Sequence, residues 1–213
     1  RKKSGFFDCL TYSGNYTAGR TVSHSLGSVP AMIIVKCTSG AEDWAVYHQG
    51  SNGGTNPENY KLILNNTSAA ASGYWNSTAP TDSSFTVGAQ GEVNGSGATY
   101  VAYLFADNSS EDAEDQMIKC GSYTGTGSAG LEVNLGWEPQ WVLIKNASRA
   151  TEWMMQDTMR GMSHNGWKYL IPNDNSAESG SASNKVVPTA TGFTVNNNGS
   201  SAFGQSGDTL VYM

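Results

Sequence analysis

Carboxylates are the first residues to weigh for chemistry. Glu42, Asp43, Glu92, Glu138, Glu152 and Asp157 stand in or beside turn-rich segments. Hydrolysis of a glycosidic bond needs two such groups facing each other, one as acid and one as base or nucleophile. Glu42, Asp43 and Glu152, however, precede Trp44 and Trp153 in two segments that repeat each other, "AEDWAVY" and "ATEWMMQ". A position kept in both segments is explained by architecture, such as a capped loop, because catalysis needs only one copy. His24, His48 and His164 share no metal-ligand spacing with one another or with a cysteine. Cys9, Cys37 and Cys120 form no C-x-x-C, and their odd number argues against a complete disulfide set. No G-x-S-x-G elbow occurs. The glycine-rich run from Gly91 to Gly97 lacks the P-loop lysine and is expected to be a hairpin loop. No enzymatic activity, cofactor or metal is expected.

Aromatic rings offer a different chemistry, since a ring face can stack on a sugar or anchor a neighbouring subunit. The candidates are Tyr74 and Trp75 in "SGYWNST", Trp137 at the turn "NLGWEP", and Trp167 in "HNGWKY". Trp137 takes the place of Ser28 in the related turn "SLGSVP", so the fold itself does not demand a ring there. Trp44, Trp141 and Trp153 sit in apolar runs and are expected in the core.

These residues hang on a pattern stated twice. "YSGNYTAG" from Tyr12 matches "YTGTGSAG" from Tyr123, "AMIIVK" matches "QWVLIK", "SSFTVG" matches "TGFTVN", and "GSGATYVAYL" from Gly95 matches "GQSGDTLVYM" from Gly204. The order is preserved at a spacing of roughly one hundred residues, which is a tandem duplication rather than a short-period solenoid. Short apolar or alternating runs bounded by Gly, Pro, Asn and Ser predict strands, and no helix longer than a turn is expected. The expected fold is all-β: two tandem β-sandwich or jelly-roll-like units related by internal duplication. Residues 1–106 form the first, the acidic stretch 107–116 a linker, and 117–213 the second, with a last strand expected to be short. Cys9 and Cys120 match in the two units and are expected to be small buried hydrophobes.

Composition narrows the function. Only 14% of the 213 residues are charged, against roughly 25% in ordinary soluble domains. With 25 glycines and abundant Ser, Thr and Asn, the chain is rich in turns and hydroxyl-bearing surface. Its net charge of −6 repels phosphate backbones, so no nucleic-acid partner is expected. No run of 18 apolar residues occurs, so no membrane insertion through a helix is expected. The start "RKKSGFFDCL" has no apolar signal core, and the first residue is not Met, so a fragment or processed product is expected.

The blocks "FFDCLTYSGNYTAGRTVSHSLGSVPAMIIVK", "DWAVYH", "NPENYKLILNNTSA" and "NGSGATYVAYLFA" resemble a repeat domain of structural proteins of marine tailed bacteriophages, often tail-fibre-like. The resemblance covers nearly all of the first copy. In the second it departs at "MRGMSHNGWKY" and "NNNGSSAFGQ". It implies a non-enzymatic virion protein displayed at the particle surface, homo-oligomeric and often trimeric, contacting other virion proteins and a host-surface glycan or receptor. The alternatives are a capsid decoration, head-fibre or assembly protein, and a glycan-binding module or depolymerase.

Overall fold

The structure is a computed structural model that describes residues 2–108, 116–162, 167–181, 186–196 and 200–213. It is built of antiparallel β-sheets with almost no helix. The chain divides into two compact units: Arg1–Leu64 with Ala70–Cys120, and Asn65–Ala69 with Gly121–Met213.

Unit 1 contains β1 (Phe7–Ser13), β2 (Arg20–Ser23), β3 (Pro30–Cys37), β4 (Trp44–His48), β5 (Tyr60–Ile63), β6 (Ala71–Ser72), β7 (Ser84–Val87), the single helical turn α1 (Gly91–Asn94) and β8 (Thr99–Ala106). Its larger sheet has the order β1-β8-β3-β4-β5-β6, and β2 pairs with β7 in a second sheet. β3 lies between β8 and β4, and "PAMIIVKC" is accordingly apolar almost throughout. β8 instead alternates strictly, because "TYVAYLFA" turns only Tyr100, Ala102, Leu104 and Ala106 into the core. Those side chains meet Val22, Phe85 and Val87 of the smaller sheet, together with Ile33, Val35 and Tyr47.

Unit 2 contains β9 (Gly121–Thr124), β10 (Ala129–Asn134), β11 (Trp141–Asn146), β12 (Trp153–Asp157), β13 (Trp167–Tyr169), β14 (Ser179–Ser181), β15 (Val186–Thr189), β16 (Gly192–Asn196) and β17 (Thr209–Tyr212). One sheet runs β12-β11-β17-β9, a second β10-β16-β15, and β13 pairs with β14. Val142, Ile144, Met154, Leu210 and Tyr212 of the first sheet share a core with Val133, Val186, Phe193 and Val195 of the second.

The division between units differs from the sequence expectation. Asn108 Oδ1 accepts the Met117 and Ile118 N–H groups at 3.1 and 2.8 Å, and Gln49 Nε2 donates to the Cys120 carbonyl at 2.7 Å. The chain around 117–120 is thereby held to unit 1. Residues 109–115 of the expected linker lie outside the described residues. Asn65–Ala69 belongs with unit 2 through Lys145, whose buried ammonium donates to the carbonyls of Thr67, Asn146 and Arg149 at 3.3, 2.7 and 3.0 Å. Burial pushes the Lys145 ammonium down to about 8, partly opposed by the charge of Glu152.

Three other expectations are corrected. Gly91–Asn94 is a helical turn, not part of a hairpin loop, because its backbone is bonded by tyrosine hydroxyls from the sheet below. Cys9 is only partly buried, whereas Cys37 and Cys120 are buried, and all three are free thiols. Of the three tryptophans expected in the core, Trp44 and Trp141 are partly exposed and Trp153 is fully inside.

The start of unit 1 is fixed by a buried carboxylate. Asp8 accepts from Lys2 Nζ at 2.7 Å, from the Ser25 N–H and hydroxyl at 2.8 and 3.1 Å, and from the Cys9 N–H at 2.8 Å. Burial alone would raise its pKa; the Lys2 ammonium and the Ser25 and Cys9 donors outweigh it and hold the group at about 2. A depressed carboxylate adds stability above its unfolded pKa of 3.8, and that stability is lost as pH falls through the folded value. Asp8→Asn should therefore lower unfolding stability at pH 7 by about 2 kcal/mol. Urea melts of both proteins between pH 7 and pH 2 check this, and the difference should close toward pH 2.

A second constraint is steric. A Cβ on Gly14 would run into the Gly95 carbonyl oxygen, and one on Gly125 into the Gln205 carbonyl oxygen. Both obstacles are backbone, so neither can swing away. Gly14→Ala and Gly125→Ala should each destabilise their unit by about 3 kcal/mol or more. Thermal melts read the loss, and the exposed Gly40→Ala, whose added Cβ would meet only the Cys37 Sγ at ordinary contact distance, serves as the control.

Candidate functional site

The most elaborately built surface lies at the α1 end of unit 1. Tyr12 of β1 and Tyr100 of β8 face each other in register, their rings stacked with centroids 5.0 Å apart. Both hydroxyls work on α1. Tyr12 donates to the Val93 carbonyl at 2.7 Å, and Tyr100 donates to the Gly91 carbonyl while accepting the Gly95 N–H. Burial raises both phenols above the ordinary tyrosine range, so they remain protonated donors.

Asn94, at the end of α1, is fully buried and grips the β1–β2 loop. Its Oδ1 accepts the Asn15 N–H at 2.9 Å, and its Nδ2 donates to the Thr17 carbonyl at 2.9 Å and the Gly88 carbonyl at 2.8 Å. Its own carbonyl accepts the Tyr16 N–H at 2.8 Å. Asn15 Oδ1 then closes a tight turn onto the Thr17 N–H at 2.9 Å. Tyr16 sits at the centre of that turn with φ +58°, a left-handed conformation that a residue with a Cβ adopts at a cost of about 1–2 kcal/mol. Its ring is 62% exposed.

A second strained segment lies alongside. Tyr74, Asn76 and Ser77 all have positive φ, and the Asn76 amide stands against Gly19. This backbone path turns Tyr74 and Trp75 inward rather than outward. Both are buried, Trp75 packing edge-on against Tyr47 at 5.9 Å and Tyr74 under the Lys61 ammonium at 3.9 Å. The expectation that they form exposed binding rings is corrected: they belong to the core of unit 1. Trp137 is partly buried against the core of unit 2 and keeps part of its surface open. Trp167 is described only through its backbone, in β13 opposite Ser181.

The carboxylates fall into two groups. Glu92 is hydrogen-bonded to the Tyr74 hydroxyl, and the charges of Asp43 and Glu42 also act on it; with burial as the main cause they raise that phenol well above its usual range. Glu152 instead accepts from Asn173 Nδ2, and Asp157 accepts the Arg160 N–H and pairs with its guanidinium, so both fasten local turns of unit 2. Among the described residues no cluster of three or more His, Cys, Asp and Glu has the geometry to hold a metal ion.

Sequence reasoning overlooked Tyr16. The signal was present in the aligned blocks, where Tyr16 stands against Gly127. The loop geometry yields a paired expectation. Asn94→Ala removes an acceptor for one buried N–H and the donor for two carbonyls, and should cost about 2–4 kcal/mol. Tyr16→Gly relieves the left-handed strain and should raise stability by about 1 kcal/mol. Denaturant titrations measure both changes, which have opposite signs within a single loop.

A family model described as Domain of unknown function (DUF7483) matches residues 1–213. Comparison with curated proteins and with solved structures returns no match.

Proposed function

We propose that this chain, which belongs to the DUF7483 family over its whole length, is a non-enzymatic attachment module of a tailed-phage particle, displaying loops from a duplicated β-sandwich scaffold. The single observation that carries the reading is that the two units share one set of hydrogen bonds at the junction of their first and last strands but differ in the exposed loop beside it. Gly14 N–H donates to the Ala98 carbonyl at 2.7 Å and Gly125 N–H to the Asp208 carbonyl at 2.8 Å. Gly97 N–H returns to the Gly14 carbonyl, and Gly207 N–H to the Gly125 carbonyl. Thr99 N–H donates to Ser39 Oγ and Thr209 N–H to Ser148 Oγ, both at 2.9 Å. Tyr12 and Tyr123 hydroxyls donate to the Val93 and Phe203 carbonyls. Strand registers agree too: Lys36 pairs with Val101 and Trp44, and Lys145 with Val211 and Trp153.

Duplication supplies a scaffold whose geometry is set by turns and core, leaving exposed loops free to vary. The low charge content and hydroxyl-rich surface suit a particle-surface protein. The resemblance of the first unit to tail-fibre-like phage proteins supports attachment over capsid decoration. Assembly as a homo-oligomer, as a trimer for instance, belongs to the same reading. A second reading, a glycan depolymerase, draws on Glu42, Asp43 and Glu92, whose charges all act on the Tyr74 phenol.

Three measurements separate these readings. With excess purified chain, adsorption of the phage to its host should fall, and antibody against the chain should label the particle surface. Unchanged adsorption together with fragile particles after deletion of the segment would move the protein to decoration. Release of oligosaccharides from host-surface glycan, abolished in Glu92→Gln, would move it to the depolymerase.

A further inference from the structure

We infer that the β1–β2 loop of unit 1 is a binding site for a neutral saccharide, with the Tyr16 ring as its stacking platform and two amides as hydrogen-bonding groups, Asn15 next to it in the chain and Asn76 against Gly19 of the same loop. The inference rests on the attachment reading above and names the ligand class. It starts from a choice of residue. Tyr16 and Gly127 occupy the same place in the same turn: each follows a residue whose side chain accepts the N–H two positions on, Asn15 to Thr17 and Thr126 to Ser128. Both have left-handed backbone, φ +58° and +73°. Glycine adopts that conformation without penalty, whereas tyrosine adds strain and leaves its ring 62% exposed, so neither core packing nor backbone geometry accounts for the ring.

The support beneath the ring points the same way. Asn94 binds three backbone groups of the loop and its surroundings, while the corresponding hydrogen bonds of unit 2 put Gly204 in the matching position, which offers no side chain for the task. The unit that carries the exposed ring also carries the clamp that holds it in one orientation. A pre-ordered ring loses little entropy on binding, which is what a weak, shallow ligand such as a sugar requires.

Local chemistry selects the ligand. The C–H face of a pyranose stacks on an aromatic ring, and its hydroxyls pair with amides and hydroxyls. Asn15 and Thr17 flank Tyr16 in the loop, the Asn76 amide stands against Gly19 of the same loop, and all three are exposed and uncharged. Asn15 is exposed and uses its Oδ1 for the turn, so its NH₂ is the group it offers a ligand. Arg20 lies over the Tyr12 ring, 5.6 Å from its centroid. Anionic sugars meet a chain of net charge −6, with Glu42, Asp43 and Glu92 also in this unit. One exposed ring among small polar groups provides too little apolar area for a stable protein–protein contact.

The test is a binding titration of the 213-residue chain against an array of neutral hexose and N-acetylhexosamine oligosaccharides, followed by saturation-transfer NMR on whatever binds. At least one neutral oligosaccharide should bind, with saturation reaching its ring C–H protons. Tyr16→Gly, which keeps or improves the fold, should weaken binding roughly tenfold or more, and Tyr16→Phe should stay within about threefold, since the ring face remains. Equal affinity of Tyr16→Gly and the parent overturns the inference, as does tighter binding of sialylated or phosphorylated sugars. If no neutral oligosaccharide binds while the chain still blocks phage adsorption, the saccharide assignment falls and the attachment reading stands. If the chain neither binds sugar nor blocks adsorption, both fall.

Discussion

The α1 end of unit 1 depends on a place where no Cβ can stand. Gly14 lets the end of β1 lie directly against the backbone of Gly95, and reciprocal hydrogen bonds from Gly14 to Ala98 and from Gly97 to Gly14 seal the approach. Because β1 and the segment before β8 are locked there, the stacked Tyr12 and Tyr100 hydroxyls arrive beneath α1 at hydrogen-bonding distance. α1 then presents Asn94 to the loop. Each step is short range, yet each presupposes the previous one. Unit 2 contains the same close approach at Gly125, with Gln205 and Asp208 in the corresponding roles.

Beyond that junction the units are fastened differently. In unit 1 the buried polar group is Asn94, and it reaches outward to the β1–β2 loop. In unit 2 it is Asp208, which accepts from Asn146 Nδ2 at 2.9 Å, Arg149 Nε at 2.6 Å and the Gln205 N–H at 2.9 Å. Burial disfavours that carboxylate's charge, but Arg149 and the two other donors outweigh it and lower its pKa. Asp208 therefore ties β17 to the turn after β11 and leaves the loop around Gly127 outside its reach. Under the proposed duplication, one junction has been secured by two unrelated polar solutions, and only the outward-facing one supports an exposed ring.

The sequence makes the scaffold legible because the scaffold is made of local rules. "MIIVK" and "WVLIK" are central strands, "TYVAYLF" alternates, and a glycine that cannot change stands at the same junction in each unit. Loop path was harder to read. Tyr74 and Trp75 look like surface rings in a polar loop, but three left-handed residues in the segment fold them inward, and no composition rule signals left-handed Tyr, Asn and Ser. The sequence match sets Gly95 against Gly204, whereas the hydrogen bonds set it against Gln205; that one-residue shift in register is what makes Gly204 the counterpart of Asn94. Membership of Asn65–Ala69 in unit 2 rests on a buried lysine bonding to one carbonyl far away in sequence, that of Thr67, which no local pattern announces.

Strain gives the same picture from another direction. Backbone strain persists only where surrounding structure over-determines it, and it is worth keeping only if removal costs something else. The Tyr16 turn is over-determined: Asn94 bonds it on both sides, Asn15 closes it, and the Tyr12 and Tyr100 hydroxyls hold α1 beneath. A glycine at position 16 would keep every one of those bonds, since none of them uses the Tyr16 side chain. The side chain at position 16 therefore contributes nothing that the fold requires, and its rigid exposure is the property left for selection to act on.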